Sequence, residues 1–77
     1  MEYILVFINT HNALNCEKVL ENKKINITVM PTPSYISNSC GISIKIKEEN
    51  LENVKELINE GSIQVKFIYD IKNKQYM

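Results

Sequence analysis

Two cysteines, one histidine and a run of hydroxyl side chains are the groups in this sequence best suited to nucleophilic chemistry. Cys40 stands near the end of Pro31-Thr32-Pro33-Ser34-Tyr35-Ile36-Ser37-Asn38-Ser39-Cys40-Gly41. That stretch shows neither helical nor strand periodicity, and it holds both prolines. A compact domain rarely carries a loop of this length without a use for it, and loops are where binding and chemistry concentrate. A thiol there is a candidate nucleophile, because the thiolate is the attacking form and polar surroundings favour it. The structural alternative is a small buried residue that opens a strand. Ser37 and Ser39 are near enough in sequence to offer hydroxyls. Gly41 has no side chain and lets backbone or substrate approach closely. Pro31 and Pro33 stiffen the start of the loop. Cys16 reads differently: it shares an apolar helical stripe with Ala13 and Leu20, which makes it a core residue.

Composition narrows the chemistry. The chain has 77 residues and reads as a single domain. Its 44 % hydrophobic content is enough to fold. Nine basic residues, all lysine, balance nine acids. A nucleic-acid binder would need a basic stripe, which this chain does not have. The absence of arginine also removes the usual bidentate grip on phosphate or carboxylate. His11 and two cysteines are too few ligands for a closed zinc site. There is no paired-carboxylate site, no Gly-rich phosphate loop and no Ser-His-Asp set, so no metal or cofactor is expected. The chain opens with an acid where a signal peptide needs positive charge, and its first apolar run is too short to span a bilayer. Two cysteines are fewer than a small secreted scaffold carries. These features predict a soluble cytoplasmic protein with reduced thiols.

The elements that must position Cys40 follow from the pattern. Tyr3 to Ile8 is an apolar run of β-formers and predicts a central strand. Asn9-Thr10 offers a cap for a helix running to about Asn22, where Asn22-Lys23-Lys24 ends it. Ile25 to Met30 predicts a short strand closed by Pro31. Ile42, Ile44 and Ile46 alternate with Ser43, Lys45 and Lys47, a strand with one wet face. Asn50 caps a second helix whose apolar face is Leu51, Val54, Leu57 and Ile58, with Gly61 just past its end. Val65 to Ile71 predicts the last strand, and residues 72–77 a loose tail.

The order βαββαβ predicts an α+β, ferredoxin-like sandwich over residues 1–77, with a four-stranded antiparallel sheet and two helices on one face. The loop then lies at the edge where the first helix begins, so Cys40 is expected there, partly exposed, with Thr10, His11 and Gly61 close by. A helix N-terminus and a nearby imidazolium both favour a thiolate. A helix end supplies only about 0.3–1 kcal/mol, so hydrogen bonds from the loop are needed as well. The first strand is apolar on both faces, but helices cover one. The bare face, or the last strand's edge, is therefore expected to take a partner or a second copy of the chain.

The loop also carries a resemblance. The strand leading to Thr10, the Ala13, Glu17, Leu20 helix pattern, Pro31-Thr32-Pro33, and Ser37-Asn38-Ser39-Cys40-Gly41 before an isoleucine strand resemble a selenium/sulfur carrier-like family of small bacterial proteins. The likeness covers nearly the whole chain. It implies one reactive cysteine, here Cys40, that holds sulfur or selenium as a persulfide or perselenide. It also implies proteins that donate and accept the chalcogen. Better-known sulfur carriers present Cys-Pro-x-Pro; here Pro31-Thr32-Pro33 has no cysteine before it.

Two functions of different class remain open on the sequence. One is a carrier acting through Cys40, closer to a carrier protein than to a stand-alone enzyme. The other is a non-catalytic regulatory module binding a small ligand or protein, since a ferredoxin-like fold does not fix function. Cys40 reactivity separates them.

Overall fold

The apolar run near the start of the chain becomes the middle of a sheet. The computed structural model describes residues 1–38 and 40–77. In it β1 spans Glu2–Val6, α1 Thr10–Asn22, β2 Thr28–Pro31 and β3 Ile42–Lys47. A 3-10 turn at Glu48–Asn50 leads into α2, Leu51–Asn59, followed by β4, Phe67–Asp70, and β5, Gln75–Tyr76. The strand order is β2-β3-β1-β4-β5, with every neighbouring pair antiparallel. The first four strands take the order that two interleaved βαβ halves produce. The fifth strand departs from the four-stranded expectation.

Side-chain alternation along β1 decides what covers each face. Tyr3, Leu5 and Phe7 pack with Ala13, Cys16 and Leu20 of α1 and with Val54 and Leu57 of α2. Both helices therefore lie on one face. Ile4 and Val6 point the other way and pack with Ile36 and Tyr69; Met30, Phe67 and Ile71 lie against them. That second face was expected to be left for a partner. The loop covers part of it instead, with Ile36 only 6 % exposed. A stretch that looked free of any packing role thus carries the centre of a second, smaller core.

The expected loose tail is also ordered. The Asp70 carboxylate accepts hydrogen bonds from Lys72 N (3.0 Å), Asn73 N (3.2 Å) and Asn73 Nδ2 (2.7 Å). This Asx-type turn reverses the chain. Tyr76 then pairs with Tyr69, and Met77 N donates to Ile68 O at 2.7 Å. The Tyr76 ring meets Phe67 and Tyr69 edge to face, at centroid distances of 4.8 and 5.3 Å. Such pairs contribute about 0.5–1.5 kcal/mol each beyond area burial.

The turn gives a pH prediction. Burial alone would favour a neutral Asp70, but the bonds from Asn73 and Lys72 outweigh it and hold the carboxyl below its ordinary value. A lowered folded value means that the unfolded chain takes up the proton first. The contribution of the charged carboxylate is full above about pH 4 and is lost as pH falls through the lower, folded value. Asp70→Asn should therefore be less stable than wild type at pH 6 in urea unfolding, and the gap should close as the pH is taken below about 4. A gap that widens on acidification would contradict this.

Element ends follow local chemistry, with some shifts. Asn9 rather than Thr10 caps α1: its Oδ1 accepts from Asn12 N at 2.8 Å. The left-handed position after α1 falls on Lys24, at φ 60°, and not on Asn22. Gly61, at φ 84°, closes α2 as expected, with Ser62 N donating to Leu57 O and Gly61 N to Ile58 O. The Asn50 side chain makes no capping bond. β1 stops at Val6, leaving Phe7 buried and Ile8 exposed. β2 starts three residues later than predicted, and β4 begins at Phe67, with Val65 packed against the helix-side core just ahead of it. Pro31 is the last residue of β2, an edge strand, where a missing N–H is tolerated.

Candidate thiol site at the neck of the loop

The neck of the loop is tied by backbone and hydroxyl bonds. Pro31 and Ile42 face each other in register, and Thr32 N donates to Gly41 O at 3.1 Å. The hydroxyls of Thr32 and Ser43 are 2.6 Å apart. Inside the loop Pro33 O accepts from Ile36 N (3.0 Å) and Ser37 N (3.2 Å), which turns the chain back over the sheet.

Cys40 sits at this neck. Its thiol donates to Ile42 O at 3.2 Å, and the residue is 7 % exposed. The partly exposed position expected from sequence is therefore corrected to a buried one. Counting back from Ile44 by twos, through Ile42, puts residue 40 on the helix side of the sheet. Cys40 accordingly belongs to the same buried cluster as Phe7, Ala13, Cys16 and Ile63. Cys16 is wholly buried, and burial pushes its thiol up to about 12. A thiol so placed stays protonated at neutral pH and is inert.

The other expected site residues are less closely gathered. Thr10 and His11 are exposed in the first turn of α1. Among the described residues no hydrogen bond joins either to Cys40. Ser37 is half-buried in the loop, and Ser39 lies outside the described residues. Gly61-Ser62 comes to the α1 side of the molecule: Asn15 Nδ2 donates to Ser62 O at 3.2 Å. Ile63, the next residue, shares the Cys40 cluster. Among the described residues no group of three or more His, Cys, Asp or Glu side chains could hold a metal ion. None of their helices is long and apolar enough to cross a membrane.

Gly41 is the informative neighbour. It is exposed, its φ is not in the left-handed region, and a Cβ placed on it meets nothing within 4 Å among the described residues. Neither backbone strain nor crowding requires a glycine here. Gly41→Ala should therefore fold normally, with stability unchanged or raised by about 0.4–1 kcal/mol in urea unfolding. A loss of more than about 1 kcal/mol would reveal a hidden packing constraint.

The family described as "Putative Se/S carrier protein-like" matches residues 2–70. The chain belongs to this family. No curated protein and no solved structure matches it. The Se/S carrier-like match takes in the loop, Cys40 and the strands from β1 to β4, while β5 lies outside it. In this carrier-like chain two polar contacts around the loop escaped the sequence reading. Ser43, wholly buried, looked like part of a wet face, but the loop lies over that face and Thr32 satisfies the hydroxyl. Tyr76, read as tail, donates its hydroxyl to Ile36 O at 3.3 Å.

Proposed function

We propose that this chain carries one sulfur or selenium atom on Cys40, in a reducing, cytoplasmic setting, and hands it to a partner protein. The observation that carries the reading is the family match across the region holding Cys40. Two features of the fold support Cys40 over Cys16. Cys16 is sealed in the core with a strongly raised thiol pKa. Cys40 lies beside the bare, exposed backbone of Gly41, where a bulky donor can approach.

The transfer balances without an outside oxidant. The Cys40 thiol leaves Ile42 O and loses its proton to solvent or a base; His11, in the first turn of α1, is a candidate. The thiolate attacks the outer sulfur of a donor persulfide. A sulfur–sulfur bond forms on Cys40, the donor's own sulfur–sulfur bond breaks, and the donor leaves as a thiolate. The acceptor thiolate repeats the step on the Cys40 persulfide. Selenium follows the same course as a perselenide. Because the acceptor supplies the second thiol, Cys16 is not needed. The chain gives up what it took, and so acts as a carrier rather than a stand-alone enzyme.

The test is intact and peptide mass spectrometry after incubation with a cysteine desulfurase and cysteine. One added sulfur, on the peptide holding Cys40 and removed by excess dithiothreitol, is the expected result. No adduct, in the presence of a donor shown to carry its own persulfide, would overturn the proposal and favour a binding module. Gly41→Ala, expected to keep the fold, should slow loading if the donor approaches along that backbone.

A further inference from the structure

The cover over the open sheet face has two parts that hold each other. Ile36, from the loop, is buried against Ile4, Val6 and Tyr69. Tyr76, from β5, donates its hydroxyl to the carbonyl of that same Ile36 and stacks edge to face on Phe67 and Tyr69. Tyr35 leans on Tyr69 from the loop side, with centroids 6.4 Å apart. β5 is otherwise held by two register pairs, the Met77 backbone bond and the Asp70 turn. A strand this short is among the first elements to open locally. Cys40, four residues beyond Ile36, is buried on the opposite face. The residue is 7 % exposed, so a bulky reagent needs its thiol uncovered, and Ile36 is the buried anchor of the loop that leads to it.

We propose that β5 is a latch on the Cys40 loop: Tyr76 holds Ile36 down, and release of β5 frees the loop and exposes the Cys40 thiol. The inference deepens the carrier reading, because it names what controls access to the acting sulfur. Its test needs no sulfur donor, so the two can fail separately.

Iodoacetamide labelling of the full folded chain, followed by peptide mass spectrometry, reads both cysteines at once. Cys16 is the internal control, since it is wholly buried in the helix-side core, away from the loop and β5. Tyr76→Phe loses the hydroxyl alone, and Cys40 labelling should rise about three-fold, the size expected for one modest hydrogen bond. Tyr76→Ala also loses two aromatic contacts, and the rise should reach at least about thirty-fold. In both variants the Cys16 rate should stay well below that of Cys40 and rise less. Unchanged Cys40 labelling in Tyr76→Ala would overturn the latch. So would a parallel rise at Cys16, which would report general destabilisation. Should Tyr76→Ala unfold, the Tyr76→Phe comparison decides alone.

Discussion

Cys40→Ser should take up no sulfur from a persulfide donor, while a chain lacking Cys16 should load fully. The two replacements are expected to affect stability in the reverse order. In Cys40→Ser the new hydroxyl can donate to Ile42 O, as the thiol does at 3.2 Å. The fold should then lose no more than about 1 kcal/mol. Cys16 is wholly buried among apolar side chains. A serine hydroxyl placed there without a partner costs about 1–3 kcal/mol. Cys16→Ala, which buries no polar group, is the cleaner control. Mass spectrometry of both variants beside wild type, with urea unfolding to confirm the fold, gives the comparison. Loading of Cys40→Ser on Cys16 would show that the buried thiol is reached after all, and would remove the case for the loop.

The second large effect concerns a residue in a stretch that reads as polar loop. Ile36→Ala should destabilise the protein by about 2–4 kcal/mol, the range for truncating a buried isoleucine. An ordinary loop substitution stays within about 0.5 kcal/mol. The difference is large beside the few kcal/mol that hold a domain of this size together. It should appear as a lower urea midpoint with little change in slope. A shift of under 0.5 kcal/mol would mean that the loop does not rest on Ile4 and Val6 in solution.

These two residues also show where the sequence is legible and where it is not. The isoleucine alternation of Ile42, Ile44 and Ile46 located β3 to the residue, because a two-residue period with polar partners has one reading. The seat of Gly61 and the core position of Cys16 were equally plain, since each rests on local geometry. Ile36 was not, because a single apolar side chain among polar ones carries no period. Only the topology shows that Ile4 and Val6 lack a cover until the loop folds over them. The burial of Cys40 lay within reach, by carrying the β3 alternation two residues back. β5 was hidden because two residues make no pattern, although Asp70 and Asn73 form a turn signal.

The two sheet edges bear on how this protein behaves in a crowded solution. Its formal net charge is zero, so copies gain little from mutual repulsion. Under those conditions an exposed strand is a template for a neighbour's strand, and stacking of that kind leads to fibres. One edge here is β2, four residues ending in a proline that cannot donate to a ladder. The other is β5, two residues long. Neither edge offers a second chain more than a few backbone bonds. Brief borders of this kind limit edge-to-edge pairing in a protein with no net charge, and lengthening β5 or replacing Pro31 by valine should increase association.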